Sequence, residues 1–285
     1  MDNTQKSVKL MIDEEKINMG IFQKSFRLLK HSNLSFQDFS KPICIIGMPG
    51  IADVGKFAVD QLIGILNAKK FCDIISYNYP AGAIIDDSIL STPKAEMLFY
   101  KDKKGERDII LITADAQAMT PNGIYEVSDL IAELLDKLKI TEIISLGAFP
   151  GNYKDDIRIY LTSTENFDIR NYPGCSRMSK GVIIGSNGLI PTLAKARFKI
   201  PGKVFLAEIK NQNSMNDGIT DLKASVLLLD KVASIYNLPI EPVFSDKKVS
   251  ELSKDLEQKR KKLEKELDAC QPIEKIVEQE KTLYI

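Results

Sequence analysis

The chain of 285 residues is 44% hydrophobic and 27% charged, enough apolar material for one large core or two modest ones. Its 39 basic and 39 acidic residues cancel, so there is no global field to hold nucleic acid or an anionic membrane. No apolar run approaches the length of a membrane span, and the polar segment from Met1 to Leu10 has no signal-peptide core, which predicts a cytoplasmic protein.

The elements follow in chain order. Residues 1–40 are weakly periodic and are read as an N-terminal extension, with a strand inside it left open. Pro42 to Gly47 is short, apolar and isoleucine-rich, the pattern of a buried strand. From Gly50 to Ala68, Val54, Phe57, Ala58, Leu62, Ile65 and Leu66 form a helical face. Phe71 to Tyr77 reads as a second strand. Ala95 to Tyr100 and Asp108 to Thr113 flank a polar turn containing Gly105 and read as a hairpin. Ile124, Val127, Leu130, Ile131, Leu134, Leu135 and Leu138 recur at spacings of three and four behind Pro121, which suits the first turn of a helix. Ile140 to Leu146, Ile157 to Thr162, Gly181 to Ile184 and Lys203 to Ile209 are expected strands. Gly188 to Phe198 and Asp217 to Tyr236 are expected helices, the latter capped at Asn216-Asp217.

Strands alternating with helices predict a three-layer αβα fold with a mixed, mostly parallel sheet over residues 41–242. Composition changes after Pro242. Lys248 to Asp268 is rich in Lys, Glu and Asp with leucines on one narrow stripe, so residues 243–272 are read as a charged helix. It either packs on its own domain or joins an oligomeric bundle. Residues 273–285 are expected to form a flexible tail ending in Leu283-Tyr284-Ile285. An apolar residue, a tyrosine and a carboxylate make a plug for an apolar groove with one cationic group.

Chemistry-bearing residues are sparse. There is one histidine and no tryptophan. His31 lies in the polar stretch Lys30 to Asn33 and reads as a surface residue. A single histidine excludes a multi-histidine zinc site and disfavours Ser-His-Asp catalysis. The four cysteines (Cys44, Cys72, Cys175, Cys270) form no C-x-x-C pair, which fits core thiols in a reducing compartment. Asp86-Asp87 and Asp155-Asp156 read as loop charges, since neighbours in a strand face opposite ways. No metal, cofactor or catalytic constellation is expected.

Three glycine segments remain. Gly50 to Phe57 nearly matches a phosphate-binding loop between a strand and a helix. Phe57 takes the place of the magnesium-binding hydroxyl, Asp53 puts a negative charge in the cradle, and Pro49 removes a backbone donor. Gly147 to Gly151 and Gly185 to Leu189 sit at the carboxyl ends of strands, where α/β folds bind ligands. All three can serve as tight turns instead. Gly47, Gly50, Gly55, Gly147, Gly151, Gly185 and Gly188 are therefore candidate pocket residues.

Together these segments carry a family resemblance. Gly47-Met48-Pro49-Gly50-Ile51-Ala52-Asp53-Val54-Gly55, Gly147-Ala148-Phe149-Pro150-Gly151 and Gly185-Ser186-Asn187-Gly188-Leu189-Ile190-Pro191 resemble, in order and spacing, the loops of the archaeal proteasome-assembly-chaperone family. The resemblance implies a fold similar to that of nucleoside phosphorylases, no established enzymatic activity, and homo-oligomers, with or without a paralogous subunit. It also implies action on the α subunits of the proteasome core particle, as an assembly chaperone or an ATP-independent activator. Leu283, Tyr284 and Ile285 match the hydrophobic-Tyr-X tail of such proteins. The expectation is a partner-binding protein. The alternative is a nucleoside- or nucleotide-binding enzyme that uses the glycine segments as its pocket.

Overall fold

Nine strands form one mixed sheet with helices on both faces of a computed structural model that describes residues 26–151, 157–209 and 221–240. The elements in chain order are β1 (Phe26–Lys30), β2 (Ile43–Gly47), α1 (Val54–Leu66), β3 (Lys69–Ser76), β4 (Ile84–Asp86), β5 (Ile89–Ser91), β6 (Ala95–Tyr100) and β7 (Ile109–Ala114). There follow α2 (Pro121–Lys137), β8 (Glu142–Pro150), β9 (Ile159–Ser163), β10 (Cys175–Arg177), α3 (Ser186–Phe198), β11 (Gly202–Ile209) and α4 (Leu222–Tyr236). The sheet order is β1-β3-β6-β7-β2-β8-β11-β9-β10, and β4 and β5 form a separate two-stranded ribbon.

The centre, β7-β2-β8-β11, is parallel, while the pairings β1-β3, β3-β6, β6-β7 and β9-β11 are antiparallel. β2 shows why the middle strands read as continuous apolar runs. Cys44 and Ile46 join the core under α2 and α3, and Ile43 and Ile45 join the core under α1 and α4. Each such side chain contributes about 1.5–3 kcal/mol by leaving water.

Helix ends follow local chemistry. The Thr120 hydroxyl accepts from Gly123 N at 3.1 Å with Pro121 behind it. Asp221 accepts from Ala224 N at 3.0 Å and caps α4, which starts later than expected from Asn216-Asp217. Those two residues lie outside the described segments, as do the charged helix expected at 243–272, the tail, and Asp155-Asp156.

Three features differ from expectation. Gly181 to Ile184 is not a strand. Val182 and Ile184 are 88% and 86% exposed, Gly181 and Gly185 have positive φ of 159° and 95°, and β10 takes the sheet edge in their stead. Gly147 to Pro150 is no turn, because β8 continues through it in register with β11 up to Ile209. The β4-β5 ribbon was not foreseen, since three residues per strand are too few to show alternation.

Within the N-terminal segment, β1 pairs with β3 at the sheet edge. Phe36 and Phe39 then stack edge-on against Phe71 at 5.4 and 5.6 Å between ring centroids. β3, β7, β2, β8 and β11 all run the same way, so the segments that follow them gather at one end of the sheet.

Candidate functional site

The three glycine segments meet at that carboxyl end. β2 leads through Met48-Pro49-Gly50 into a single 3₁₀ turn, Ile51–Asp53, and then α1. Ala52 and Asp53 in this turn take left-handed φ of 48° and 45°. A backbone bond from Asp221 N to Ala52 O, 3.1 Å, holds it. A Cβ on Gly47 would stand 2.1 Å from Gly55 O, and one on Gly55 would stand 2.0 Å from Leu146 O. These two glycines are there so that the first turn of α1 can lie directly on the main chain of β2 and β8.

Lys56, in the position of a phosphate-binding lysine, points elsewhere. Its Nζ is 2.9 Å from Asp60 Oδ2 and 3.4 Å from the Thr113 hydroxyl, which donates to Asp60 Oδ1 at 2.9 Å. The ammonium is thus paired with α1's own carboxylate and directed to β7.

Two amides that pattern reasoning did not assign tie the segments together. Asn187, in the first turn of α3, accepts from Met48 N at 3.0 Å through Oδ1 and donates to Met48 O at 3.1 Å through Nδ2. Gln117 donates to Pro49 O through Nε2 and accepts from Ser186 N at 2.9 Å through Oε1. Ser128 donates to the Ser186 hydroxyl at 3.1 Å. Several of the polar groups a phosphate would need are therefore engaged within the protein. The signal in sequence was present only in part, because Asn187 lies inside a recognised motif and Gln117 lies in none.

Among the candidate pocket residues, Gly47 and Gly55 serve packing, and Gly185 is the positive-φ residue before α3. Gly188 and Gly147 are buried, the first against Ile183 and the second against Leu206. A groove of about 420 Å³ has Gly188, but not Gly147, in its lining. Val204, Leu206 and Phe149 form its floor, Leu189 on α3 one wall, and Met178 and Val182 the other. This volume falls in the range of small-molecule sites. Gly151 closes over Glu208, which is 5% exposed and whose Oε2 has no hydrogen-bond partner among the described residues; a Cβ on Gly151 would collide with its Oε1 at 2.1 Å.

The one histidine has a structural partner. His31 Nε2 lies 3.0 Å from Asp73 Oδ2, and Lys94 Nζ lies 2.9 Å from the same oxygen. Burial alone would raise the Asp73 carboxyl, but hydrogen bonds from Lys94 and His31 and the charges of Lys70 and Lys94 hold it below its ordinary value. This network staples β1, β3 and β6 at the far side of the sheet from α3, well away from the glycine segments. Leu283, Tyr284 and Ile285 lie outside the described residues.

Comparison with known proteins places this architecture. Residues 44–269 match the sequence profile of the PAC2 family. A protein of Pyrococcus furiosus, PbaB, described as an archaeal proteasome activator, superposes with a TM-score of 0.70 at 27% identity, over 85% of this chain and 99% of that one. PbaA of the same organism, described as an archaeal homolog of proteasome-assembly chaperone, superposes with a TM-score of 0.63 at 20% identity, over 92% and 100% of the two chains. An uncharacterized protein of Methanocaldococcus jannaschii is 24% identical over 234 residues, 80% of this chain and 87% of that protein.

Proposed function

The chain belongs to the PAC2 family, and from that premise we propose that it acts on the proteasome core particle, as an assembly chaperone or an ATP-independent activator. The observation that carries this reading is the likeness to PbaB, an archaeal proteasome activator, which spans nearly the whole of that chain. The mutual hydrogen bonding of Met48, Pro49, Gln117, Ser186 and Asn187 supports it, because it leaves less of a phosphate cradle at the phosphate-loop look-alike.

The contact is assigned to the tail. Leu283 and the ring of Tyr284 supply apolar burial, the Tyr284 hydroxyl a hydrogen bond, and the carboxylate of Ile285 an ion pair with a cationic group between α subunits. One such tripeptide binds weakly, because few atoms are buried and ordering the tether costs entropy. Several tails on one homo-oligomer gain about 10²- to 10⁴-fold in avidity if they engage together. The protein acts in the cytoplasm, where its partner is assembled.

The test is binding of core particle and of free α subunits by the full chain and by a variant lacking Leu283 to Ile285. Loss of binding on deletion is expected, and equal binding removes the tail from the mechanism. The groove of about 420 Å³ beside Gly188 favours a second reading, a nucleoside-sized ligand. A nucleotide or nucleoside that raises the thermal midpoint of the protein as its concentration rises would support that reading.

A further inference from the structure

The groove beside α3 has a lining that selects its ligand. Phe205 and Ala207 of β11 belong to the core under α1 and α4, so Val204 and Leu206 stand on the opposite face of the sheet, beneath α3. Thr162 pairs directly with Val204 in the antiparallel register of β9 and β11 and shares that face. Val204 and Leu206 are buried, and with Phe149 they make the floor apolar. A concavity of about 420 Å³ over such a floor has the size and the character of a small-molecule site.

Its polar groups are few and nearly all of one kind. Among the described residues of the lining, Lys180 alone is charged, and there is no Asp, Glu, Asn, Gln, Arg or His. Carboxylates and amides are the groups that read a ribose diol or an adenine edge, so a nucleoside would meet little here that recognises it. The hydroxyl of Thr192 donates to Gly188 O and Leu189 O at 3.0 and 2.9 Å, and that of Ser163 donates to Gly202 O at 3.2 Å. The Thr164 hydroxyl accepts from Gly202 N at 2.9 Å. Thr162, Ser179 and Lys180 are left, with no side-chain hydrogen bond or ion pair among the described residues. Each of the three can donate.

These free donors fit one negative charge. A phosphate would look for main-chain donors at the start of α3. Three of them are taken, since Ser186 N bonds Gln117 Oε1 at 2.9 Å and both Gly188 N and Leu189 N bond Gly185 O at 3.2 Å. A carboxylate carries a single charge, and one ammonium with a neighbouring hydroxyl meets it, as Lys180 and Ser179 do. The absence of any carboxylate from the described lining leaves nothing there to repel it.

We propose that this groove binds a small molecule with an apolar body and a single carboxylate, the body on Val204, Leu206 and Phe149 and the carboxylate at Lys180. The inference rests on the reading of the groove as a small-molecule site and names the chemistry of its ligand. It is independent of the proteasome reading.

The experiment is calorimetric titration of the full chain with octanoate, with octan-1-ol as the same body without the charge, and with adenosine. Octanoate is expected to saturate one site per chain and to bind about tenfold or more tightly than octanol, an advantage that shrinks as salt rises. Lys180→Met keeps the apolar stem and removes the charge. It is expected to bring octanoate down to the affinity of octanol and to leave octanol unchanged. Val182→Ser, on the exposed wall, is expected to weaken both ligands. Unchanged circular dichroism and thermal midpoint without ligand establish that both variants fold. Octanoate that does not saturate, that binds no better than octanol, or that is indifferent to Lys180→Met overturns the proposal. Adenosine binding more tightly than octanoate would give the groove to a nucleoside and overturn the carboxylate. A peptide of residues 280–285 that displaces octanoate and binds more tightly would give the groove to the chain's own tail and overturn the small-molecule occupant. Core-particle binding, which tests the proteasome reading, is a separate measurement, so either reading can fail alone.

Discussion

Asn187 and Met48 lie 139 positions apart in the chain and share two hydrogen bonds, one in each direction. The side-chain amide of Asn187 imitates a strand partner for the residue at which β2 leaves the sheet. Both residues are buried, with Met48 at 0% exposure. Backbone groups at a strand end must find partners, and here one amide satisfies both.

Replacing Asn187 by Ala strands the buried N–H and C=O of Met48. The expected cost is about 2–4 kcal/mol of stability, read as a lower midpoint in urea unfolding with an unchanged slope. A midpoint within error of the wild type would show that water fills the gap.

Two glycines of α1 predict opposite outcomes for the same substitution. Gly55→Ala drives a methyl group into Leu146 O and is expected to cost about 3 kcal/mol or more, or to prevent folding. Gly64→Ala meets nothing within 4 Å on an exposed helix face and is expected to gain about 0.5–1 kcal/mol. Thermal denaturation of the pair checks both signs. Equal effects would contradict the close contact between α1 and β8.

Acid stability is expected to depend on Asp73. Its folded pKa is held below the ordinary 3.8, so the ionised form is favoured by folding. That stabilisation is fully present above the unfolded value and is lost as pH falls through it towards the folded value. Unfolding midpoints measured from neutral pH down to about 2 should therefore decline in this window in the wild type. Asp73→Asn should start less stable at neutral pH and show a shallower acid limb. An unchanged acid limb in the variant would assign the decline to other carboxylates.

Thiol labelling reads the core under α2 and α3 directly, since Cys44 and Cys72 both lie in it. Burial raises the Cys44 thiol well above its ordinary value, and burial together with the Asp73 charge pushes Cys72 up to about 12. Cys175 is half-buried, with a smaller upward shift caused by burial and countered by Lys231. In a Cys270→Ser background, native protein should take up one equivalent of a thiol reagent at Cys175, and unfolded protein three. Native modification of Cys44 would mean that the parallel centre of the sheet opens on the labelling timescale.

Much of the fold was legible because its signals are local. A strand buried on both faces reads as a short apolar run, as at Ile43 to Gly47, and an amphipathic helix repeats at three and four, as from Ile124 to Leu135. The start of α2 is written in two adjacent residues, Thr120 and Pro121. The β4-β5 ribbon has no such length, and the exposed Val182 and Ile184 imitate a strand because isolated apolar residues look alike whether buried or not. The candidate site was half legible, in that the glycine segments announce themselves and their purpose does not.

The chain's order of residues determined the alternation of strands and helices, the absence of a charged surface field and the three glycine segments, since each depends on neighbours within a few positions. Only the tertiary arrangement decided that Gly47 and Gly55 exist for helix-on-sheet contact, that Lys56 turns to Asp60, that Asn187 and Gln117 knot the segments together, and that His31 meets Asp73. Those outcomes depend on distances between groups far apart in the chain, and such distances come into being only when the sheet brings its strand ends to one side.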